Sequence, residues 1–214
     1  MIIFDFDGTL ADTISLGLSI INDYADHFKY SKIKREEHED FSAIEVVQNI
    51  GIKMWKFPYL VWLLRKKIYE RSAEIQIFPG VKEILDDLKN SGFKLGIITS
   101  NSEDNVTDFL KRNSLESYFS YVKTGVPTFG KRHALVKAKK QLKQDFVYVG
   151  DEIRDIEACR HAQIPVVSIT WGLNSATSLE KMNPGMVAKD STEALSLIHK
   201  TAEQYLKIIN KQEL

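Results

Sequence analysis

Two pairs of aspartates have spacings that could place carboxylates around one cation. Asp5 and Asp7 lie two residues apart directly after the apolar run 1–4, and Gly8 follows them. Because side chains alternate along a strand, these carboxylates share a face only if the chain stays extended, and the glycine lets the backbone turn away afterwards. Such a pair at a strand end could bind a divalent cation through oxygen ligands. The alternative is a surface turn rich in helix-capping acids.

The second pair, Asp151 and Asp155, follows the apolar run 146–149. The two residues stand four apart, so a helix that starts here would carry them on one face, one turn apart. Like charges at this spacing destabilise a helix unless a positive charge lies between them, and a Mg²⁺ ion or a lysine ammonium would supply it. The alternative is helix capping by acids, which explains Asp151 easily and Asp155 less well.

Five short apolar runs predict the strands that would position these acids. Each is rich in β-branched or aromatic residues and bounded by turn residues, and they cover residues 1–4, 94–98, 118–122, 146–149 and 165–169. Segments of helical period lie between them, at residues 81–88, 106–110 and 135–142. This alternation predicts an α/β fold, a Rossmann-like doubly wound parallel sheet with helices on both faces. In such sheets ligands lie beyond the carboxyl ends of the strands.

One stretch, from residue 14 to residue 77, breaks the alternation and contains no convincing strand. Three helical patterns occupy it, namely Ile14, Leu18, Ile21, Ala25 and Phe28; then Phe41, Ile44, Val47 and Gln48, with Gly51 as a stop; then residues 58–73. We therefore predict an α/β core of residues 1–13 and 78–214 with an inserted helical cap of residues 14–77. The cap aromatics are interpreted mainly as cap core, and the alternative is a pocket for an apolar leaving group; they are Trp55, Phe57, Tyr59 and Trp62.

The composition is typical of a soluble globular protein. Of 214 residues, 43% are hydrophobic and 27% are charged, and 29 basic residues balance 29 acidic ones, so no global field favours nucleic acid or an anionic membrane. The longest apolar run, residues 57–64, is far shorter than the roughly 20 residues that span a bilayer. The single cysteine, Cys159, fits a reducing compartment and is interpreted as a buried core residue. We expect a cytoplasmic protein that binds neither nucleic acid nor membrane.

Four segments in order resemble the motifs of one enzyme family. The sequences DFDGTL at residues 5–10 and GDEIRD at residues 150–155 resemble the first and fourth motifs of the haloacid dehalogenase-like superfamily of phosphohydrolases. IITSN at residues 97–101 ends a predicted strand with the hydroxyl residue of the second motif, and Lys131 opens a helix where the third-motif lysine is expected. The resemblance covers essentially the whole chain, and the helical insertion is similar to the cap of the phosphoglycolate phosphatase-like branch.

The resemblance implies a Mg²⁺-dependent phosphatase that forms an aspartyl-phosphate on Asp5. Asp7 would act as the general acid and base and would also ligate the metal through its backbone carbonyl. Asp5, Asp7 and Asp151 are therefore the expected metal ligands, and Asp155 would hold a ligand water or pair with Lys131. Mg²⁺ is favoured over Zn²⁺ because the implied ligands are oxygens and no His/Cys cluster accompanies them.

The resemblance also implies a phosphate-binding set. Thr99 and the amide of Ser100 would hold a phosphate oxygen with Asn101 nearby, and Lys131 would neutralise charge on the nucleophile and the phosphoryl group. The expected substrate is a small phosphorylated metabolite, and the expected assembly is a monomer or a homodimer. The sequence departs from the family pattern at residues 11–13 and in the Arg132-His133 that follows the lysine, which leaves phosphoglycolate itself open as the substrate.

Two other functions remain open from the sequence. One is a phosphotransferase of the β-phosphoglucomutase type, which has the same core and a similar cap. The other, from a different class, is a non-catalytic phosphate-binding regulatory module. A dehalogenase is disfavoured because its chemistry does not need the acid and base at Asp7, and a phosphonate hydrolase is disfavoured because no cap lysine is singled out for a Schiff base.

Overall fold

The computed structural model describes residues 1–34, 53–127 and 130–212. The described residues form a six-stranded parallel sheet in the order β3-β2-β1-β4-β5-β6. Its strands are β1 (Ile2–Phe4), β2 (Leu95–Ile98), β3 (Phe119–Lys123), β4 (Val147–Gly150), β5 (Val166–Ile169) and β6 (Val187–Ala188). The five predicted strands are confirmed to within a residue at each end. The edge strand β6 was not predicted, because two residues are too few to show a strand pattern.

Besides three short 3-10 helices, nine α-helices occur in the described ranges. They are α1 (Thr13–Asp23), α2 (Ala25–Phe28), α3 (Phe57–Glu70), α4 (Val81–Asn90), α5 (Glu103–Arg112), α6 (Lys131–Leu142), α7 (Ile153–Ala162), α8 (Ala176–Met182) and α9 (Ser191–Gln212). Local signals explain several boundaries: in α5 the Ser102 hydroxyl caps the Asn105 amide, and basic Lys111 and Arg112 lie in the last turn, where they complement the helix dipole.

Helices cover both faces of the sheet, and the central strands are therefore buried on both sides. On one face Ile2 and Phe4 pack with α4, α5 and α9, and on the other face Ile3 and Tyr148 pack with α6 and α7. Cys159 lies in the second cluster, as predicted. The doubly wound α/β fold is thereby confirmed. Within the described ranges, every helix is either too short or too polar to cross a membrane.

The cap helices differ from the predicted patterns. The first predicted stripe extends to Phe28, but α1 ends at Asp23 and the short α2 follows. The buried face of α1 includes Leu16 and Ile20, whereas Ile14, Leu18 and Ile21 are only partly buried. The reason is that α1 joins the main core cluster, against which Leu64 and Ile68 of α3 also pack. The second predicted stripe, Phe41 to Gln48 with Gly51, lies outside the described residues.

The cap aromatics are a second difference. Trp55, Tyr59 and Trp62 were interpreted mainly as cap core, but they are exposed by 75%, 51% and 55%. Tyr59 stacks on Trp62 with ring centroids 5.9 Å apart, and the Lys66 ammonium lies over the Trp62 ring. Tyr59 and Trp62 therefore pack on each other at the surface, and Trp55 is the most exposed of the three.

The two connections between the core and the cap helices pair with each other. Ala11 forms an antiparallel bridge with Ile77. The Asp12 amide donates to the Gln76 carbonyl at 2.9 Å, and the Phe78 amide donates to the Leu10 carbonyl at 3.2 Å. This pairing supports the division into a core and a cap at residues 13 and 78, which we retain as a proposal.

Candidate active site

The carboxyl ends of three adjacent strands bring the candidate residues together. In the sheet, β1 lies between β2 and β4. Asp5 follows β1, Thr99 follows β2 and Asp151 follows β4. The strand order reverses between β1 and β4, and ligands bind at such a reversal in open α/β sheets. The structure thus places the three side chains at the edge where the sequence predicts the site.

Asp5 is buried and accepts two hydrogen bonds through different oxygens. The Phe6 amide donates to its Oδ1 at 2.8 Å, and the Lys131 ammonium donates to its Oδ2 at 2.6 Å. Burial raises the pKa of Asp5 to about 7, with a further increase from the charge of Asp155 and a partial decrease from Lys131. The carboxylate is therefore poorly solvated and depends on nearby positive charge for ionisation.

Lys131 bridges two of the candidate acids. It is the first residue of α6, and besides Asp5 its ammonium donates to Asp155 Oδ1 at 2.5 Å. Burial alone would lower the pKa of Lys131, but the charges of Asp155 and Asp5 outweigh burial and raise the pKa well above its usual value. Of the two roles expected for Asp155, pairing with the lysine is the one observed.

Asp155 is placed by its own backbone turn. Its Oδ2 accepts the Glu152 amide at 3.2 Å, and a Cβ on Gly150 would lie 2.4 Å from that oxygen. Because α7 begins at Ile153, Asp151 precedes the helix, and the predicted shared helical face is wrong. The two aspartates nevertheless lie close together, with one carboxylate oxygen of each within 4.8 Å of the other.

Asp151 is held by hydrogen bonds from two other loops. The Thr9 hydroxyl donates to its Oδ1 at 2.8 Å, and the Leu173 amide donates to its Oδ2 at 2.7 Å. Gly8 has a φ of +75°, and a Cβ there would lie 2.3 Å from Asp151 Oδ2. Burial raises the pKa of Asp151 well above its usual value, and the charges of Asp5 and Asp155 add to that increase.

Asp5, Asp151 and Asp155 form a buried cluster that could hold a metal ion. One carboxylate oxygen from each lies within 4.8 Å of the others. The cluster shares Asp5 and Asp151 with the predicted ligand set. The Asp7 carboxylate is not among its members, and it accepts a hydrogen bond from the Asn101 side chain.

Asp7 and Asn101 connect the first strand end to the second. The side-chain amide of Asn101 donates to Asp7 Oδ1 at 2.9 Å, and its side-chain oxygen accepts from the side-chain amide of Asn105 at 3.0 Å. Burial raises the pKa of Asp7, although hydrogen bonds from Asn101 and Thr13 partly oppose the increase. The Asp7 carboxyl is therefore easier to protonate than a solvent-exposed aspartate.

The remaining predicted phosphate contacts lie on the same turn as Asn101. Thr99 is fully buried, and its hydroxyl oxygen accepts a hydrogen bond from the backbone amide of Asn101 at 3.0 Å. The hydroxyl proton is therefore available to an acceptor. Ser100 is exposed. The loop after β3 supports this turn, because the Gly125 amide donates to the Asn101 carbonyl at 2.8 Å.

Sequence reasoning did not assign the support from Thr9 and from the loop after β5. The Trp171 indole donates to the Thr9 carbonyl at 3.1 Å, and Leu173 contacts Asp151 through its backbone. Glu152 and Arg154 were also unassigned, and they form an ion pair beside Asp155. The loop after β5 follows a predicted strand, and the parallel sheet places it at the same edge as the other site residues, so its proximity could have been predicted. The Leu173 contact could not, because almost any residue type can donate through its backbone amide.

Comparison with known proteins identifies the family. The haloacid dehalogenase-like hydrolase model matches residues 2–169. A phosphoglycolate phosphatase of Synechococcus elongatus is 34% identical over 209 residues, which cover 95% of this chain and 99% of that protein. The pyrophosphatase PpaX of Bacillus velezensis is 26% identical and covers 92% and 94%. A haloacid dehalogenase-like family hydrolase of Streptococcus pneumoniae has a similar fold, with a TM-score of 0.74, 21% identity and coverage of 91% and 96%. This chain belongs to the haloacid dehalogenase-like hydrolases.

Proposed function

We propose that this protein is a Mg²⁺-dependent phosphatase that hydrolyses a small-molecule phosphate monoester through an aspartyl-phosphate on Asp5. The observation that carries the proposal is the buried cluster of Asp5, Asp151 and Asp155, in which Asp5 and Asp155 pair with Lys131. Membership of a hydrolase family whose relatives include phosphatases supports the same reaction class.

The charges of the cluster favour a divalent cation. If all three carboxylates are ionised, they and the ammonium carry a net charge of −2 in a buried space, and isolated buried charges are strongly unfavourable. Mg²⁺ would neutralise this charge and orient the phosphate group, and oxygen ligands suit it. Asp5, Asp151 and the backbone carbonyl of Asp7 are the proposed ligands, and Asp155 pairs with Lys131.

Asp5 is the proposed nucleophile. The Phe6 amide and the Lys131 ammonium hold its carboxylate in one orientation, so little freedom is lost when it attacks phosphorus. Lys131 also offers positive charge to the phosphoryl oxygens. Covalent capture divides the displacement into formation of an acyl-phosphate and its hydrolysis.

Asp7 is the proposed general acid and base. Its raised pKa lets the protonated side chain donate a proton to the leaving oxygen. The resulting carboxylate can then accept a proton from the water that attacks the acyl-phosphate. Asn101 donates to Asp7 Oδ1 and so orients the carboxyl for both steps.

Thr99, the Ser100 amide and Asn101 are proposed to bind the phosphate oxygens. They lie on one turn at the carboxyl end of β2, next to the strand end that carries Asp5. The Thr99 hydroxyl already accepts a hydrogen bond, and its proton can be donated to phosphate. Such prearranged donors stabilise charge at the phosphoryl group without reorganisation.

Phosphoglycolate is the first substrate to test, because a relative of that name is 34% identical over nearly the whole chain. Pyrophosphate is the second, because another relative is named a pyrophosphatase. The cap is proposed to restrict access to small esters. We also propose a cytoplasmic location, consistent with a single buried cysteine and balanced charge.

The experiment measures phosphate release from p-nitrophenyl phosphate and phosphoglycolate with Mg²⁺ and with chelator. We expect Mg²⁺-dependent turnover that Asp5→Asn abolishes, whereas Asp108→Asn, a control at an exposed aspartate in α5, retains it. Acid-quenched wild-type protein should carry acid-stable, hydroxylamine-labile phosphate. Folded, metal-loaded protein that releases no phosphate from any ester in a broad panel would refute the proposal.

The same assay separates the alternatives. A phosphotransferase of the β-phosphoglucomutase type would release phosphate slowly and convert a sugar phosphate to its isomer rapidly. A non-catalytic module would bind Mg²⁺ and beryllium fluoride in calorimetry without turnover of any ester.

A further inference from the structure

A fully buried tyrosine contacts both Lys131 and the residue that precedes the turn at residues 99–101. Tyr148 is the second residue of β4, and its side chain lies in the cluster that packs against α6 and α7. Its exposed fraction is 0%, and it is among the largest fully buried side chains in the described residues. A phenol at this depth needs a hydrogen-bond partner, because a buried unpaired hydroxyl is unfavourable.

The partner of the hydroxyl is the carbonyl oxygen of Ile98, at 3.2 Å. Ile98 is the last residue of β2, and Thr99, Ser100 and Asn101 follow it directly. The hydrogen bond therefore ties β4 to the residue from which the proposed phosphate-binding turn begins. Burial raises the pKa of the Tyr148 hydroxyl well above its usual value, so the group stays protonated and remains a donor.

The ring of the same tyrosine lies beneath Lys131. The lysine ammonium is 5.6 Å from the ring centroid, which is within the range of a cation–π contact. The ammonium donates to Asp5 and Asp155 at 2.6 and 2.5 Å. The aromatic ring is thus a third neighbour of the ammonium, beside the two carboxylates.

We propose that Tyr148 is a positioning residue that sets Lys131 and the turn at residues 99–101 relative to one another, through its ring and its hydroxyl respectively. This inference rests on the proposed function, since it assigns Lys131 and the turn to the same phosphate group. Tyr148 itself would not touch the substrate.

The plain alternative is that Tyr148 only fills the core. Phe146 provides a matched control, because it is a buried aromatic residue in the same cluster as Tyr148. It lies two residues earlier in the chain, on the same face of the sheet, and its side chain cannot form a hydrogen bond. Replacement of either residue by leucine removes a buried ring. Only replacement of Tyr148 removes the contacts to Lys131 and Ile98.

The experiment compares Tyr148→Phe, Tyr148→Leu and Phe146→Leu with the wild-type protein, in Mg²⁺, by kcat, KM and thermal midpoint. Tyr148→Phe keeps the ring and loses the hydroxyl, so we expect KM to rise about fivefold, the effect of one hydrogen bond, with kcat unchanged within about twofold. Tyr148→Leu should in addition lower kcat about tenfold, because the lysine loses its aromatic support. Phe146→Leu should also lower the thermal midpoint, by less than Tyr148→Leu because no hydrogen bond is lost, but it should keep wild-type kcat and KM.

Two outcomes would overturn the inference. One is equal kinetics for Tyr148→Leu and Phe146→Leu, and the other is a Tyr148→Phe variant with wild-type KM. If Tyr148→Leu does not fold, the Tyr148→Phe comparison still decides the role of the hydroxyl. Calorimetry with inorganic phosphate separates this inference from the proposed function: wild-type protein that binds phosphate without hydrolysing any ester refutes the function, while a fivefold weaker affinity in Tyr148→Phe still supports the positioning role.

Discussion

Replacement of Asp5 by asparagine is expected to make the metal-free protein more stable at pH 8. Burial is the largest influence on this carboxyl, and it raises the pKa from 3.8 to about 7 despite the attraction of Lys131. Ionisation of Asp5 therefore costs more in the folded protein than in the unfolded chain. Three pKa units correspond to about 4 kcal/mol of unfolding free energy, and a neutral asparagine avoids that loss.

The exchange also removes one hydrogen bond. Asp5 accepts from the Phe6 amide and from Lys131 through different oxygens, and asparagine has a single acceptor oxygen. The lost bond costs about 1 kcal/mol, so the net gain at pH 8 is about 3 kcal/mol. Lys131 keeps Asp155 as its partner.

The pH dependence follows from the direction of the pKa shift. A raised pKa means that the folded protein retains the proton between about pH 4 and pH 7, while the unfolded chain releases it. The penalty is absent below about pH 4 and complete above about pH 7. The advantage of Asp5→Asn should therefore be constant above about pH 7, shrink as the pH falls below 7, and reverse near pH 4, where only the lost hydrogen bond remains.

The assay is urea unfolding in chelator at several pH values between 4 and 8. Asp108→Asn serves as the control, and it should stay within about 0.5 kcal/mol of the wild-type protein throughout. Addition of Mg²⁺ should narrow the gap, because the ion binds the folded wild-type carboxylates and stabilises that protein by mass action. An Asp5→Asn variant no more stable than wild type at pH 8 without metal would refute the reasoning.

Three further predictions concern the supports of the site. Gly172→Ala should weaken Mg²⁺ affinity in calorimetry at least tenfold, because its Cβ would lie 2.1 Å from the Asp151 Cβ. The control is Gly17→Ala in α1, whose Cβ would meet the Ile68 side chain at an ordinary contact distance of 4.0 Å; it should retain that affinity and raise the unfolding free energy by about 0.5–1 kcal/mol. Thr9→Val should lower the unfolding free energy by about 1 kcal/mol and weaken Mg²⁺ affinity, since Asp151 loses a hydrogen bond at 2.8 Å; an unchanged affinity would show that the hydroxyl does not orient the ligand. Lys131→Met should abolish turnover and destabilise the protein by about 3 kcal/mol at pH 8 in urea unfolding, because two buried carboxylates lose their cation; a smaller loss at pH 4, where carboxyls can protonate, is part of the same expectation.

The elements of the core could be predicted from the sequence because each central strand is a short apolar run with a turn at its end. The parallel sheet then sets the edge at which Asp5, Thr99 and Asp151 meet. The short strand Val187–Ala188 escaped prediction because its pairing with β5 comes from tertiary context.

Details of the site depended on backbone geometry that residue types do not encode. The Asp151 and Asp155 carboxylates lie in one cluster although Asp151 precedes the helix that contains Asp155, so they do not share a helical face. The Leu173 amide reaches Asp151 across 22 positions of sequence, and any residue except proline could supply that donor. The buried side of α1 likewise follows from its packing against the core, which its own periodicity did not indicate.

The paired connections at Ala11 and Ile77 have a consequence for how the two parts of the chain can vary. The segment that forms the cap helices begins and ends at neighbouring residues that are joined by backbone hydrogen bonds. The distance that an insertion must span is therefore the same whatever the insertion contains. Because the entropy of closing a loop grows only slowly with its length, insertions of very different size can occupy this gap at nearly the same energetic cost. Under the proposed function, the residues of the candidate site would stay fixed in the core while the insertion that is proposed to select the ester varies.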